Sequence, residues 1–190
     1  MRVDGLIDAD AELTVQRIAS ALVDVTHAES VVMSAVATTE AYVDATIQRL
    51  VDEASVQRSL FGKFMVERST AGFKQSWVSR QDVLRDGFGI VIEPQKLVQH
   101  LTLVVEIRNV LAHGDGLLTS LQTANWSRAI ELRRNLERKL GVLIDGRRVT
   151  ITQNSVRIST RILIDYVLAL GAATAVLLND SNSKSLPRRT

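Results

Sequence analysis

Apolar residues recur every three or four positions through most of this chain, and strand-like alternation is not sustained over any long segment. This spacing places the apolar side chains on one face of a helix. It predicts a series of helices near residues 8–27, 29–54, 55–68, 71–85, 94–113, 124–140 and 155–179. The pattern therefore indicates an all-α fold, an up-and-down helical bundle whose first two helices form an antiparallel pair.

One segment departs from helical spacing. Val142–Ile144 and Arg147–Ile151 flank Asp145-Gly146, a residue pair that is favoured in two-residue hairpin turns. We expect a small β-hairpin here, before the C-terminal helix, packed on the bundle because an isolated hairpin is only marginally stable. No linker or internal repeat interrupts the pattern, so residues 1–180 are predicted to form one helical domain and residues 181–190 a flexible polar tail.

The composition excludes several kinds of site. The chain has 190 residues, 46% of them hydrophobic, and no cysteine, which removes disulfides, thiolate metal ligands and cysteine nucleophiles. Its three histidines do not form a metal-binding motif, and there is no glycine-rich phosphate loop, so neither a metal nor a cofactor is predicted. The N-terminus does not resemble a secretory signal, and the longest apolar tract, Val167–Leu178, is shorter than a membrane span. These features predict a buried C-terminal helix and a cytoplasmic location without membrane contact.

The small net charge of +2 hides a gradient along the chain. Residues 1–55 contain three Arg and ten Asp or Glu, whereas residues 127–161 contain nine Arg or Lys and three Asp or Glu. The basic segment is a candidate RNA contact through Arg133, Arg134, Arg147 and Arg148. The alternative is a solvated helix face whose charge is neutralised by the acidic N-terminal helices.

The predicted helix that ends near Gly114 carries the most informative residues. Glu106, Asn109 and His113 follow one another at steps of three and four, so they share one polar face. Arg108 instead continues an apolar row, where a guanidinium needs a partner, a water-filled cleft or a second subunit. Arg108 and His113 lie roughly 140° apart around an ideal helix, so their convergence is expected to require an opened last turn or a second chain.

These residue types suit phosphodiester chemistry without a metal. An imidazole at His113 can take a proton from a ribose 2′-hydroxyl or return one to a leaving oxygen. Arg108 can clamp a phosphate through two parallel hydrogen bonds, and Asn109 can orient either group. The alternative interpretation is a plain solvent-exposed face, with Arg108 paired to a carboxylate of a neighbouring helix.

The segment Arg108-Asn109-x-x-x-His113, followed by Gly114, resembles the Arg-x4-6-His signature of the HEPN superfamily, in which a polar residue commonly follows the Arg. The Ala112-His113-Gly114 ending, the upstream Glu40-Ala41-Tyr42 helix and the later hairpin are most similar to the RiboL-PSP type of HEPN domain. Asp115 stands where some HEPN toxins have a Tyr two places after the His, so control through modification of that Tyr is not expected here.

This resemblance implies a helical bundle that dimerises with the motif at the interface, and a metal-independent endoribonuclease, in some members a toxin or defence effector. RNA would be cut by attack of the 2′-hydroxyl, leaving a 2′,3′-cyclic phosphate. Arg108, His113 and Asn109 are then the catalytic candidates, and Glu106 is a supporting residue suggested by the polar face. Partners would include RNA, a second copy and an antitoxin or other regulatory protein. Two alternatives remain: a non-catalytic dimer that binds RNA, nucleotide or protein, and a helical assembly protein.

Overall fold

The computed structural model describes residues 9–23, 27–54 and 76–184. The helices in these ranges are α1 (Ala9–Ser20), α2 (Ala28–Glu53), α3 (Trp77–Asp82), α4 (Gln95–Gly114), α5 (Ser120–Thr123), α6 (Trp126–Asn135) and α7 (Gln153–Lys184). A two-stranded hairpin, β1 (Leu143–Asp145) and β2 (Arg148–Thr150), precedes α7. The predicted all-α bundle with a small hairpin before the C-terminal helix is confirmed.

The core is centred on α7, which packs against α1, α2 and α4. Leu163, Tyr166, Val167 and Leu170 of α7 are completely buried. On α2 a row of residues at helical spacing is buried as well, comprising Tyr42, Val43, Ile47 and Leu50. The apolar faces that the helical spacing predicts are therefore the faces that meet one another.

Several boundaries differ from the prediction. The first helix ends at Ser20 and continues as a single 3₁₀ turn, Ala21–Val23. Wider π-helical turns extend α3 through Val83–Gly87 and α6 through Leu136–Leu140. The last helix continues to Lys184, so residues 181–184 are helical where the sequence predicts the start of a flexible tail. The helix predicted over 55–68, the first part of 71–85 and the aromatic residues Phe61, Phe64 and Phe73 lie outside the described residues.

The hairpin forms with a turn one residue later than expected. Asp145 pairs with Arg148, so the two turn residues are Gly146 and Arg147 rather than Asp145 and Gly146. Gly146 has a φ of 56°, and a two-residue turn with glycine in its first position needs a positive φ there. The predicted Asp-Gly turn was therefore wrong, because glycine takes the position with the positive φ and leaves Asp145 in the strand.

An arginine is buried between α2 and α3. Arg80 donates from Nε to Asp44 Oδ1 at 2.7 Å and from Nη2 to Asp44 Oδ2 at 3.0 Å, and Glu40 lies 4.0 Å from Nη1. Its side chain is only 7% exposed, and its guanidinium also lies over the ring of Trp77 at 5.6 Å. This two-point ion pair joins the two helices at a position where an unpaired charge would be costly.

One helix, Gln153–Leu178, is long and apolar enough to cross a membrane by length and composition. Core helices of soluble proteins satisfy the same test, and the buried residues of α7 pack against α1, α2 and α4. In its most apolar stretch 39% of the helix is buried, so one face of this helix forms part of the core of the bundle. The cytoplasmic location stays a prediction.

The stability of the fold is expected to decrease in acid because of His100 on α4. Burial lowers the pKa of His100 below its ordinary value, and the positive charges of Lys139 and Lys96 lower it further. The unfolded chain then binds more protons than the folded chain as the pH falls through about 6.5, the ordinary histidine value. The free energy of unfolding should therefore fall below that pH and recover above it.

The variant His100→Gln tests this dependence because it removes the titrating group. Denaturant unfolding at pH 7.5 and at pH 5.5, both taken as about one unit from the ordinary value, would compare the two proteins. The unfolding free energy of the wild-type protein should fall more between these conditions than that of the variant. Equal losses would show that His100 does not set the acid sensitivity.

Candidate active site at the end of helix α4

The polar face predicted on α4 lies on the outside of the bundle. Gln95, Gln99, Thr102 and His113 are exposed, whereas Glu106 and Asn109 are half-buried. The opposite face holds the helix against the core through five buried residues, Leu101, Leu103, Val104, Ile107 and Val110. Packing of α4 therefore leaves the candidate catalytic residues accessible at its C-terminal end.

Arg108, Asn109 and His113 meet within a single chain. Arg108 Nη1 lies 3.3 Å from His113 Nε2 and 3.4 Å from Asn109 Oδ1. A guanidinium can only donate, so the contact with the imidazole requires His113 to be neutral, with Nε2 accepting and the proton on Nδ1. Both contacts are longer than a typical N–H···O hydrogen bond and are therefore weak.

This arrangement corrects the expectation that an opened turn or a second chain is needed for convergence. Helix α4 is continuous through Gly114, and Arg108 nevertheless reaches His113. The angle between two positions around a helix limits their Cα atoms, whereas a long Arg side chain can reach across the helix surface to a residue five positions away. The side chains can therefore meet although the two backbone positions face different directions.

The carboxylate partner that the alternative interpretation gives to Arg108 is not found. Within residues 9–23, 27–54 and 76–184, no ion pair involves Arg108, although other arginines of these ranges pair with Asp or Glu. Arg108 is half-buried, and among the residues that the structure describes its side-chain hydrogen bonds are the two given above. Its positive charge therefore remains available to an anion.

The end of α4 differs slightly from the prediction. Gly114 is the last helical residue, and the left-handed conformation expected just after the helix is adopted by Asp115, with φ 49° and ψ 45°. Asp tolerates this region better than most residues. Gly116 follows with a φ of 76°, and these two consecutive residues turn the chain sharply after His113.

The segment after this turn is fixed to the hairpin. Val149 donates its backbone N–H to Gly116 O, and Leu118 donates to Arg147 O, both at 2.8 Å. The Arg147 guanidinium donates in return to Leu118 O. These hydrogen bonds to the hairpin hold the loop that follows the motif in a fixed position.

Glu106 has a defined structural partner, Gln122 of α5. Gln122 Nε2 donates to Glu106 Oε2 at 2.5 Å and to the Glu106 backbone oxygen at 3.1 Å. Gln122 Oε1 accepts the backbone N–H of Thr119, while Thr119 Oγ1 accepts that of Gln122. The sequence contains this capping box as Thr119-x-x-Gln122. Helical periodicity did not identify either residue or the short helix α5 that begins there.

A groove of about 670 Å³ lies beside the motif. One wall consists of Glu106, Asn109 and His113 from α4, and the other is formed by α5 and the start of α6. Arg128 lines the second wall, so the groove has a positive charge that the sequence analysis did not single out. Among the described residues, no group of three or more His, Cys, Asp or Glu is arranged to hold a metal ion.

The four arginines proposed to contact RNA fall into two groups. Arg133 donates to the backbone oxygens of Ile144 and Gly146, and Arg147 donates to that of Leu118, so both hold the hairpin in place. Arg134 and Arg148 are exposed and have no ion pair or side-chain hydrogen bond within the described ranges. Arg134 and Arg148 therefore fit the proposed RNA contact better than Arg133 and Arg147 do.

Comparisons with protein-family models, with curated proteins and with solved structures find no match to this chain. The fold and the site define an all-α bundle with an arginine, an asparagine and a histidine at one exposed helix end. Its membership of the HEPN superfamily stays a prediction from the motif.

The Glu106–Gln122 contact is expected to stabilise the groove wall. The variant Gln122→Glu retains the oxygen that accepts from Thr119, but it replaces the donating amide with an acceptor beside the Glu106 carboxylate. At neutral pH this change should lower the free energy of unfolding by about 1–3 kcal/mol, because two carboxylates then face each other.

Thermal and urea unfolding at pH 7 and pH 4 would measure the effect, with Ser120→Ala as the control in the same helix. The difference between variant and wild type should shrink at about pH 4, where one carboxyl takes up a proton. A variant as stable as the control at both pH values would contradict this role of Gln122.

Proposed function

We propose that this protein is a metal-independent endoribonuclease of HEPN type, with Arg108, His113 and Asn109 as its catalytic residues. The observation that carries the proposal is the contact of Arg108 Nη1 with His113 Nε2 at 3.3 Å. His113 lines an open groove, and Arg108, which does not line it, adjoins it through this contact and has no carboxylate partner among the described residues. A cation next to a neutral imidazole is the pair of groups that cyclising cleavage of RNA requires.

The proposed reaction begins with the displacement of Arg108 from His113. The scissile phosphate binds the guanidinium of Arg108. The guanidinium thereby exchanges two weak contacts with uncharged side chains for a charge-assisted hydrogen-bonded pair. His113 Nε2, now free, accepts the proton of the ribose 2′-hydroxyl as that oxygen attacks phosphorus. The 2′-oxygen–phosphorus bond forms, the bond to the 5′-oxygen breaks, and the imidazolium returns the proton to the leaving 5′-oxygen.

The remaining residues of the site support this reaction in different ways. Asn109 Oδ1 lies 3.4 Å from Arg108 Nη1, so it orients the guanidinium without adding charge. Glu106 is held by Gln122 and shapes the groove wall, which makes it a positioning residue rather than a proton acceptor. Arg128 lines the opposite wall, and under this proposal it would contact a neighbouring phosphate of the same RNA.

Incubation of the purified protein with total RNA and defined tRNAs in EDTA tests the proposal. We expect cleavage that leaves 2′,3′-cyclic phosphate ends, and no cleavage where a 2′-deoxy nucleotide precedes the cut. Arg108→Ala and His113→Ala should each reduce the rate by about 10²–10⁴-fold, the usual contribution of a proton-transfer group or a charge-stabilising donor. Asn109→Ala should reduce the rate by a smaller factor.

Matched control variants distinguish loss of the active-site side chains from unfolding of the protein. Arg161→Ala and His27→Gln change the same residue types away from both the motif and its groove and should retain activity, and circular dichroism should show all variants folded. RNA binding that persists in His113→Ala but is lost in Arg108→Ala, without cleavage by any protein, would favour the non-catalytic binding module. Loss of the dimer in Arg108→Ala, with no effect on nucleic acids, would favour the assembly protein.

The resemblance also implies a dimer with both motifs in one cleft, and the geometry predicts how its sites are composed. Because Arg108 already contacts His113 within one chain, each site should take both residues from the same copy. Mixing Arg108→Ala with His113→Ala after unfolding and refolding together should therefore restore no cleavage. Recovery of about a quarter to a half of the activity per mole would show sites composed of residues from two copies.

A further inference from the structure

The motif groove contains a negative charge two helical turns before His113. Glu106 lines the groove together with Asn109 and His113, and it is half-buried there. Gln122 Nε2 donates to Glu106 Oε2, so the carboxylate is held in one orientation. A carboxylate accepts hydrogen bonds, donates none and repels phosphate. The chemical steps proposed above give this residue no contact with RNA, although it lies in the groove that the RNA would occupy.

One oxygen of this carboxylate is free to accept a hydrogen bond from a ligand. Gln122 pairs with Oε2, and Glu106 Oε1 has no hydrogen-bond partner among the residues that the structure describes. Glu106 has no side-chain oxygen that is both buried and without a partner, so solvent reaches Oε1. Because Glu106 lines the groove, a molecule bound there can reach this acceptor.

The spacing along α4 places the carboxylate about one nucleotide away from His113. The two residues are seven positions apart on a continuous helix, which corresponds to about 10.5 Å along the axis and only about 20° around it. They therefore lie on the same wall of the groove, with Asn109 between them. A nucleotide whose ribose 2′-hydroxyl lies at His113 extends its base over a comparable length. The edge of that base can thus meet Glu106.

The opposite wall offers an apolar surface to the face of a base. Leu121 and Leu132 line this wall, and Leu121 is 89% exposed although it is a large apolar side chain. Covering such a side chain with the flat face of a base is favourable. The groove volume of about 670 Å³ lies within the range of about 300–1,000 Å³ that is usual for ligand sites. The groove therefore has room for a nucleotide between its two walls.

The carboxylate distinguishes the four RNA bases by their hydrogen-bond donors. Guanine carries two adjacent donors, N1–H and the N2 amine, which can approach the two oxygens of a carboxylate side by side. Each carboxylate oxygen has two acceptor positions, so the bond from Gln122 leaves Glu106 Oε2 able to take part. Adenine and cytosine have one amine beside an acceptor nitrogen, and uracil has N3–H between two carbonyl oxygens. Those acceptors would face the negative charge, so guanine suits Glu106 best.

We propose that Glu106 recognises guanine in the nucleotide that precedes the cut, so that the protein cleaves single-stranded RNA after guanosine. This inference rests on the proposed function, because it takes the ribose of that nucleotide to lie at His113. The Glu106 carboxylate accepts from guanine N1–H and N2–H, while the 2′-hydroxyl of the same nucleotide gives its proton to His113. Only an unpaired base offers this edge, so the substrate is single-stranded.

Nucleotide binding tests the recognition separately from cleavage. Calorimetric titration of the full-length protein with the 3′-monophosphates of guanosine, inosine, adenosine, cytidine and uridine measures affinity with no bond to be cut. We expect the guanosine nucleotide to bind at least about tenfold more tightly than the adenosine, cytidine and uridine nucleotides, the usual effect of a hydrogen bond to a charged group. Inosine keeps N1–H but lacks the N2 amine, so its nucleotide should bind with intermediate affinity.

The variant Glu106→Gln tests the residue itself. The new amide oxygen can still accept from Gln122, whereas an NH₂ group replaces the second acceptor, so the preference for guanosine over uridine should disappear. Glu131→Gln makes the same change at an exposed residue of α6 that does not line the groove, and it should keep the preference. Circular dichroism should show both variants folded, and the comparison of guanosine with inosine needs no variant.

Cleavage of DNA oligonucleotides that contain one ribonucleotide gives a second measurement. The rate after riboguanosine should exceed the rate after each of the other three by at least about tenfold. Guanosine-selective binding without any cleavage would support the role of Glu106 and contradict the nuclease. Equal cleavage after all four ribonucleotides would retain the nuclease and overturn this inference. Equal or absent binding of the five nucleotides by the folded wild-type protein, or a preference that persists in Glu106→Gln, would overturn it as well.

Discussion

Burial of one face of α7 by α1, α2 and α4 is the constraint on which the rest of this structure depends. Leu163, Val167 and Leu170 are completely buried there, and α4 meets this core through residues such as Val104 and Ile107. Turning α4 by half a rotation would bury its polar stripe and expose five apolar side chains, at a cost of several kcal/mol. The core therefore determines that Asn109 and His113 face outwards, although neither residue contributes to it.

The basic segment between α6 and β2 has a structural role that its charge alone does not reveal. The guanidinium groups of Arg133 and Arg147 donate hydrogen bonds to backbone oxygens of the hairpin and of the loop after α4. These contacts satisfy carbonyl groups of short connecting segments, which would otherwise depend on water. The same interactions keep the residues after His113 against the hairpin, so the shape of the groove depends on arginines that do not line it.

Helical periodicity was sufficient to predict the bundle, the buried C-terminal helix and the exposed polar face of α4, because those features follow from which residues avoid water. It could not predict the meeting of Arg108 with His113, since periodicity describes backbone positions and not the reach of a long side chain. It also missed α5, a helix of four residues that is too short for a period and is recognisable only by its capping box. The observed hairpin turn, Gly146-Arg147, lies one residue after the predicted Asp145-Gly146 turn. Glycine suits either the first or the second turn position, and only the register of the two strands decides which of them Gly146 occupies.

The surroundings of Arg108 distinguish it from the other arginines that the structure describes in ion pairs. Arg80, Arg85 and Arg161 each lie within 3.0 Å of a carboxylate oxygen, so a phosphate would have to replace an existing ion pair. Arg108 would give up only contacts of 3.3 Å and 3.4 Å with neutral groups. In the proposed reaction, releasing the contact to His113 would also free the imidazole nitrogen that acts as the base. If the protein cleaves RNA as proposed, binding of the phosphate and release of the histidine would be the same movement of one side chain, so a weak contact would suit the proposed site better than a strong one.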